Sequence, residues 1–256
     1  MDLQLQDKVI LVSGGAKGIG GAISRGLINE GAIPVIIDPS DTEGKQLMDL
    51  AKGKALHLKK RLFSPADAEG VIQEALSRYG RIDGLVNNAG TNDGVGLEKG
   101  SPEAFLQSLE KNIGHYYFLA HYALDALKKS KGTILNISSK TAITGQGNTS
   151  GYVAAKGAQL ALTREWAVEL LPYHIRVNAI VPAEVYTPMY ATWIQSFPNP
   201  EEKLDEISRR VPLQNRMTTA EEIANMAVFL LSQKASHITG QHIFVDGGYT
   251  HLDRAL

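Results

Sequence analysis

The chain of 256 residues contains no cysteine. This absence excludes disulfide bonds, catalytic thiolates and thiolate metal ligands, and it favours a reducing compartment. The chain also has no apolar run long enough to cross a membrane, and its first residues, MDLQLQDK, lack the basic and apolar regions of a secretion signal. We therefore expect a cytoplasmic protein.

The chain also has almost no net charge. Lys plus Arg total 26 and Asp plus Glu total 27, which gives a formal net charge of -1 at pH 7. Because the positive and negative charges nearly cancel, the chain has no long-range electrostatic field for capturing nucleic acid or an anionic membrane. No repeat, low-complexity tract or linker divides the sequence. We expect one domain over 1–256 that binds a small molecule rather than nucleic acid or a membrane.

Short β-branched segments alternate with longer segments of helical period. The predicted strands are KVILVS (8–13), AIPVIID (32–38), DGLVNNAG (83–90), GTILNISS (132–139), IRVNAIVP (175–182) and HIFVDGG (242–248). Their apolar residues occupy successive positions, which is typical of strands covered by helices on both faces. The pattern predicts a single-domain Rossmann-type α/β fold, a doubly wound parallel sheet of about seven strands flanked by helices. Helices are predicted in DTEGKQLMDLAKG, in a long run ending near Lys129, from Gly151 to Leu171 and from Thr219 to Ser232.

One irregular segment, 183–212, interrupts this alternation. It contains Pro188, Pro198, Pro200 and Pro212, and a short helix is predicted at EEKLDEISRR. Long loops in compact domains are usually functional. We expect this segment to be a substrate lid.

A glycine-rich turn follows the first predicted strand. In SGGAKGIG, Gly14, Gly18 and Gly20 are spaced G-x3-G-x-G. Glycine permits a tight turn and lets backbone N–H groups approach a pyrophosphate, whose charge is favoured at the N-terminus of the following helix. The turn indicates a dinucleotide site, although a glycine-rich turn that binds nothing has the same spacing.

The second predicted strand ends in Asp38, 18 residues after Gly20. A carboxylate here can accept hydrogen bonds from the adenosine ribose and repels a 2′-phosphate, which favours NAD over NADP. Lys17, inside the glycine turn, is an opposing signal because it could neutralise that phosphate. A simple turn residue before Pro39 is the alternative interpretation of Asp38. We expect NAD as the cofactor, with NADP possible.

Tyr152 and Lys156 are four residues apart, which places both on one helical face, and Ser139 lies upstream at a predicted strand end. A phenol has a pKa of about 10, and a neighbouring ammonium lowers it. We expect Lys156 to make Tyr152 a base while the Ser139 hydroxyl holds the substrate oxygen during hydride transfer to a nicotinamide. Taken alone, Tyr-x-x-x-Lys is also a common surface pairing.

The segments SGGAKGIG, NNAG, NISS, YVAAK, VNAIVPA and ITGQHIFVDGG occur in this order over nearly the full chain. Together they resemble the classical short-chain dehydrogenase/reductases. The resemblance implies a homotetramer and a catalytic tetrad in which Asn112 holds a water that relays protons to Lys156, beside Ser139 and Tyr152. It also implies that Thr187 binds the nicotinamide carboxamide. The full expected cofactor set is Gly14, Lys17, Gly18, Ile19, Gly20, Asp38, Leu62, Asn87, Asn88, Ala89, Gly90, Tyr152, Lys156, Pro182, Val185 and Thr187.

Two positions depart from the family pattern. Arg61 stands where relatives often have an Asp that receives the adenine amino group, which leaves the backbone of Leu62 to contact that edge. Pro182-Ala183-Glu184 replaces the usual Pro-Gly, which puts a carboxylate near the nicotinamide.

Polar side chains are expected around Ser139 and Tyr152 by motif position: Lys140, Gln146, Asn148 and Glu184. Such a pocket suits a polyhydroxylated ligand, although these side chains could instead face solvent or stabilise the loop. Trp193, in the lid, would cover a sugar face, unless it packs in the core or an interface.

More closely, ISSKTAITGQGNTSGY, LTREWAVEL, VPAEVYTP and DGGYTHLDRAL are similar to bacterial L-fucose dehydrogenases of this family. That similarity implies NAD-dependent oxidation of the anomeric hydroxyl of a pyranose to a 1,5-lactone, with L-galactose and D-arabinose as related substrates.

Two other functions stay open. The same tetrad serves 3-oxoacyl-carrier-protein reductases, and the basic KKSK (128–131) could meet an acidic carrier, although a solvated helix end explains it as well. A non-catalytic NAD-binding sensor would keep the fold but is expected to have lost part of the tetrad. His115 and His121 fit no zinc-binding spacing, so we expect packing or surface roles for them and no metal site.

Overall fold

The computed structural model describes residues 1–252. Seven strands form one sheet, and every pairing between neighbours is parallel. The strands are β1 (Val9–Ser13), β2 (Ile33–Ile37), β3 (Leu56–Leu58), β4 (Gly84–Asn87), β5 (Thr133–Ile137), β6 (Arg176–Pro182) and β7 (His242–Val245). Their spatial order is β3-β2-β1-β4-β5-β6-β7. The predicted doubly wound parallel fold is therefore confirmed.

Helices connect the strands and cover both faces of the sheet. They are α1 (Gly18–Asn29), α2 (Asp41–Leu50), α3 (Pro65–Tyr79), α4 (Pro102–Leu109), α5 (His115–Ser130), α6 (Thr141–Thr144), α7 (Ser150–Glu169), α8 (Pro188–Ile194), α9 (Pro200–Arg209) and α10 (Ala220–Leu231). None of those described is long and apolar enough to cross a membrane.

The core has a layer on each side of the sheet because successive side chains of a strand point to opposite faces. In β1, Val9 and Leu11 pack in the layer that contains buried residues of α3, α5 and α7. Ile10 and Val12 pack in the layer of α1 and α10. All four side chains are buried, which is why these four positions of the strand are apolar.

The structure adds detail that the pattern did not predict. β3 has only three residues, too few for a recognisable period. The long helix predicted to end near Lys129 is two helices, α4 and α5, joined by a π-helical turn at Glu110–Gly114. The lid range 183–212 holds α8 in addition to the predicted helix, α9. The predicted domain range and the motif DGGYTHLDRAL both extend into 253–256, which lie outside the described residues.

Candidate active site

The glycine turn lies at the carboxyl end of β1, where α1 begins. Gly14 and Gly18 have φ angles of 62° and 57°, in the left-handed region that favours glycine. A Cβ on Gly20 would lie 2.1 Å from the Gly14 carbonyl oxygen and 2.5 Å from Nδ2 of Asn88. The turn therefore has no room for side chains, and its bare backbone fits a pyrophosphate that approaches closely.

The surroundings of the turn also fit a dinucleotide. A cavity of about 440 Å³ opens beside exposed Lys17 and Gly18 and reaches Thr187. Thr187 caps the N-terminus of α8, and its side chain lies 3.6 Å from where a Gly18 Cβ would be. The segment after β6 thus contacts the turn after β1, as expected for residues that share one cofactor.

Asp38 is buried against the glycine turn at the end of β2. Its carboxylate accepts a hydrogen bond from the backbone N–H of Ala16 at 3.2 Å and another from Ser40 at 2.8 Å. The Ser40 contact is that of a turn residue, and the Ala16 contact ties the carboxylate to the turn. The Asp38 carboxylate thus stabilises its own turn and lies against the glycine turn, and its role toward a ribose hydroxyl stays a prediction.

The two asparagines of NNAG have different surroundings. Nδ2 of Asn88 donates to the carbonyls of Ser13 and Gly14, so this side chain holds the glycine turn against β4. The expectation that the Asn87 side chain lines the cofactor groove is wrong. This side chain is fully buried in the sheet, where it donates to Asn136 at 3.1 Å.

The remaining expected cofactor residues occupy the carboxyl edge of the sheet. Ile19 is partly buried in the first turn of α1, and the Pro182 carbonyl at the end of β6 accepts a hydrogen bond from the Lys140 N–H. Val185 is buried and bridges to Thr218. Ala89 lies against Gly14, and Leu62, in the loop after β3, packs partly buried against the core. Their roles in cofactor binding stay predictions.

Ser139, Tyr152 and Lys156 come together between β5 and α7. Nζ of Lys156 donates to the Ile137 carbonyl at 2.7 Å and lies 5.5 Å from the centre of the Tyr152 ring. Ser139 is buried at the end of β5, and its Oγ accepts a hydrogen bond from the Thr141 hydroxyl at 3.0 Å. The same oxygen accepts a hydrogen bond from the Thr141 N–H at 3.3 Å, and the hydroxyl also interacts with the Tyr152 phenol.

Asn112 lies in the π-helical turn, next to this group. Its Oδ1 accepts from the Thr91 N–H at 2.8 Å, and a Cβ on Gly90 would lie 3.1 Å from the same oxygen and 3.7 Å from Nζ of Lys156. The backbone carbonyl of Asn112 accepts a hydrogen bond from Gln159 at 2.8 Å. The four expected tetrad residues are thus neighbours.

The pKa values differ from the sequence-based expectation. Burial raises the pKa of Tyr152 to about 12, although the neighbouring Ser139 hydroxyl partly lowers it. Burial also lowers the pKa of Lys156 to about 7. The expectation that Lys156 depresses the Tyr152 pKa is therefore not met in the protein without ligands. The reason is that desolvation disfavours both charged forms, so near neutral pH Lys156 is partly an amine and Tyr152 a phenol.

A largely buried ion pair is formed by Lys140, which directly follows Ser139. The ammonium of Lys140 pairs with the carboxylate of Glu184, and the other Glu184 oxygen accepts from the Tyr190 hydroxyl at 3.1 Å. Nζ of Lys140 also lies 4.0 Å from the centre of the Tyr249 ring. The pair thus joins the end of β5, the end of β6, lid helix α8 and the segment after β7. Burial and the Glu184 charge together raise the pKa of Tyr190, so its hydroxyl remains a donor.

The other expected substrate residues are less enclosed. Gln146 and Asn148 are exposed on the loop between α6 and α7. Trp193 is 46% exposed on α8, where its ring makes edge contacts with Tyr190 and Phe197. The structure brings Lys140 and Glu184 together but gives Gln146, Asn148 and Trp193 no contact with the tetrad.

Sequence reasoning missed several residues of this region. Gln159, Tyr190 and Tyr249 were not singled out, and His115 was expected only to pack or to lie at the surface. Sequence spacing could have identified two of them. Gln159 follows Lys156 by three positions and His115 follows Asn112 by three, which keeps each pair on one helical face. Among the described residues, no group of three or more His, Cys, Asp or Glu side chains could hold a metal ion.

Comparisons with known proteins agree with this geometry. The sequence model of a family described as enoyl-(acyl carrier protein) reductase matches residues 14–250. The L-fucose dehydrogenase of Rattus norvegicus is 36% identical over 242 residues, which cover 94% of this chain and 88% of the rat protein.

Solved structures share the whole fold. The Cj0485 dehydrogenase is 48% identical, with a TM-score of 0.97 over 100% of this chain and 99% of that chain. The L-sorbose reductase of Gluconobacter frateurii, solved with NADPH and L-sorbose, is 25% identical, with a TM-score of 0.93 over 99% of this chain and 100% of that chain. Because it has the glycine turn, the tetrad geometry and these matches, the chain belongs to the short-chain dehydrogenase/reductase family of oxidoreductases.

Proposed function

We propose that the protein is an NAD(P)-dependent sugar 1-dehydrogenase that oxidises the anomeric hydroxyl of L-fucose, or of a related aldose, to the lactone. The observation that carries this proposal is the Lys140–Glu184 ion pair, in which buried Lys140 directly follows Ser139 and Glu184 is partly buried. Charged groups held beside a reacting centre favour a substrate with several hydroxyls, because a hydrogen-bonding site discriminates strongly against analogues that lack them. The similarity to an L-fucose dehydrogenase and to a sugar reductase supports the same substrate class.

The bound nicotinamide supplies the acceptor for the hydride that leaves C1 of the sugar. Gly14, Gly18 and Gly20 would hold its pyrophosphate on bare backbone, and Asp38 would accept from the adenosine ribose. A carboxylate at this position favours NAD. Exposed Lys17 is the group that would allow NADP.

The chain's own side chains would handle the hydroxyl and its proton. Ser139 would donate to the substrate oxygen, because both acceptor positions of its hydroxyl are already occupied by the N–H and the hydroxyl of Thr141. Tyr152 takes the hydroxyl proton while passing its phenol proton to Lys156, whose pKa of about 7 leaves an amine available near neutral pH. Asn112, in the π-helical turn, would hold a water that relays protons to Lys156. Lys140 and Glu184 would bind hydroxyls remote from C1, with Gln146, Asn148 and Trp193 as further candidates on the loop and the lid.

A panel of aldoses tests the substrate class. We expect NADH production with L-fucose, L-galactose or D-arabinose, and a smaller rate with NADP. No turnover on any aldose, together with turnover on a hydroxyacyl thioester or a hydroxysteroid, would contradict the proposal.

The variant Tyr152→Phe tests the assigned base. We expect it to lose nearly all turnover, since it removes the only proton acceptor assigned at the substrate oxygen, and to bind NAD as the parent protein does. Retained turnover in Tyr152→Phe would show that another group accepts the proton.

A second candidate function is reduction of an acyl group on a carrier protein. It is favoured by the description of the matching family model. The basic 128–131 segment lies at the end of α5, where Lys128 also contacts the Tyr173 ring. NADPH-dependent turnover of an oxoacyl thioester would favour this function over the sugar dehydrogenase. A non-catalytic NAD sensor would bind NAD but oxidise no alcohol. The homotetramer and the cytoplasmic location expected from the sequence stay predictions.

A further inference from the structure

His115 is a buried titratable side chain that the proposed reaction does not use. It is 3% exposed, and neither ring nitrogen has a hydrogen-bond partner among the described residues. An unpaired buried polar group destabilises the fold, so native proteins usually give it a function or an internal water. His115 directly follows the π-helical turn at Glu110–Gly114, and such turns are frequent at functional sites.

A second side chain next to this turn also has an unpaired atom. Gln159 is fully buried, and its Nε2 donates to the Asn112 carbonyl at 2.8 Å, whereas its Oε1 has no partner in the described part of the chain. Asn112 and His115 share one helical face, and so do Lys156 and Gln159 on α7, because each pair is three residues apart. The Gln159 hydrogen bond therefore sets these two faces against each other.

Lys156 lies close to His115 in this arrangement. Burial, and next the Lys156 charge, lower the pKa of His115 to about 4. Nζ of Lys156 and the hydroxyl of Tyr116 donate to the same acceptor, the Ile137 carbonyl, at 2.7 Å and 3.1 Å. The Tyr116 ring centre lies 4.9 Å from that of His115 and 5.8 Å from Nζ of Lys156.

The titratable groups that face this cluster are Lys156 and Tyr152 from α7 and Tyr116 from α5. The carbonyl of Lys111, one turn before His115, favours the protonated imidazole without reaching hydrogen-bond geometry. The imidazole is consequently neutral near pH 7. A neutral imidazole has one nitrogen that accepts a proton and one that can release a proton.

We propose that His115 is a positioning residue that acts through Lys156: it takes the proton that Lys156 releases, through water held by the imidazole and the Gln159 amide. The inference rests on the proposed function for the direction of proton flow. It assigns to His115 and Gln159 the return of Lys156 to its amine form before the next turnover.

The proton balance is complete in each turnover. The substrate hydroxyl proton passes to Tyr152, and the Tyr152 proton passes to the Lys156 amine, while the hydride leaves with the nicotinamide. The Lys156 ammonium then gives a proton to water, which protonates one nitrogen of His115, and the other nitrogen releases a proton to water. The amine and the phenol are regenerated, and one proton is released for each alcohol oxidised. The imidazole is left as its other neutral tautomer, and it returns to the starting tautomer by exchanging its N–H proton with water.

Histidine-selective nuclear magnetic resonance on the protein without cofactor tests the coupling directly. His115→Phe and His121→Gln assign the signals, because His121 is an exposed histidine on the same helix. We expect Lys156→Met to raise the pKa of His115 by about one unit or more, since it removes a nearby positive charge, and to leave His121 unchanged. An unchanged His115 pKa in Lys156→Met would overturn the inference.

Kinetics test the relay itself. For His115→Phe we expect an unchanged KM, a fall in kcat of about tenfold or more and a larger solvent deuterium isotope effect on kcat, while His121→Gln behaves like the parent protein. Gln159→Leu should show the same pattern, which covers the case in which His115→Phe does not fold. A kcat within about twofold of the parent value, with the same isotope effect in both variants, would refute the relay.

The two proposals can fail separately. If the parent protein oxidises no aldose, the sugar dehydrogenase proposal fails, and the His115 titration still decides whether His115 and Lys156 are coupled. If aldoses are oxidised but the His115 pKa does not respond to Lys156→Met, only the relay fails.

Discussion

Replacing Lys156 by Met should stabilise the fold while abolishing turnover. Burial lowers the pKa of Lys156 from 10.5 to about 7, a difference of 3.5 units. At 1.36 kcal/mol per unit, charging this side chain in the folded protein costs up to about 5 kcal/mol more than charging it in the unfolded chain. Met fills the same space without a charge. It gives up the hydrogen bond to the Ile137 carbonyl, worth about 1–1.5 kcal/mol, but Tyr116 still donates to that carbonyl. The net stabilisation near pH 7 or below is then about 3 to 4 kcal/mol.

The same shift predicts how stability depends on pH. Below pH 7 Lys156 is protonated in both states, and the full penalty is present. Between pH 7 and 10.5 the unfolded chain binds more protons than the folded protein, so the free energy of unfolding rises with pH. From pH about 7.5 to about 9.5 the gain is about 2.5 kcal/mol. Above about pH 10 the raised pKa of Tyr152 acts in the opposite direction, because an unfolded tyrosine ionises first.

Urea unfolding measures this dependence at equal protein concentration across that pH range. The parent protein should gain stability with pH, and Lys156→Met should lack this gain. Lys129→Met, at an exposed lysine of α5, is the matched control and should follow the parent protein. Parallel pH profiles for the parent protein and Lys156→Met would show that Lys156 is solvated like a surface lysine, and the proposed amine acceptor would then be wrong.

The fold could be predicted because its signals are local. The apolar run of β1, the glycines after it and the four-residue spacing of Tyr152 and Lys156 each lie within a few turns of chain, and each is present in the structure. Strand β3 lacked such a signal because three residues carry no period. The π-helical turn is equally invisible, since one extra residue in a helical turn leaves the hydrophobic pattern around it almost unchanged.

The sequence identifies candidate residues for the site but not their electrostatics. Spacing identifies Lys156 as a neighbour of Tyr152, but the sign of the Tyr152 pKa shift depends on burial, which α7 acquires only by packing on β5. The contact of Gln159 with Asn112 joins residues 47 positions apart, and the Lys140–Glu184 pair joins residues 44 apart. No local sequence pattern predicts either of these long-range contacts. These contacts arise because parallel strands bring their carboxyl ends to one edge of the sheet.

Two further variants test the cofactor turn and the polar pair. Gly20→Ala should abolish NAD binding measured by calorimetry, because its Cβ would lie 2.1 Å from a backbone oxygen, whereas Gly157→Ala, with nothing within 4 Å, should bind NAD normally and stabilise α7 by about 0.5–1 kcal/mol. Equal NAD affinity in the two variants would show that the glycine turn does not bind the pyrophosphate of NAD. Glu184→Gln removes the charge that compensates Lys140, so we expect it to destabilise the fold by about 3 kcal/mol or more, and the double variant with Lys140→Met to recover most of that loss. Because the double variant is expected to fold, it separates the effect of the pair on stability from its effect on substrate binding. If the pair binds sugar hydroxyls, the double variant should show a raised KM for L-fucose and an unchanged affinity for NAD. If it oxidises L-fucose with the parent KM, the pair is only structural, and the substrate class has to be sought elsewhere in the cleft.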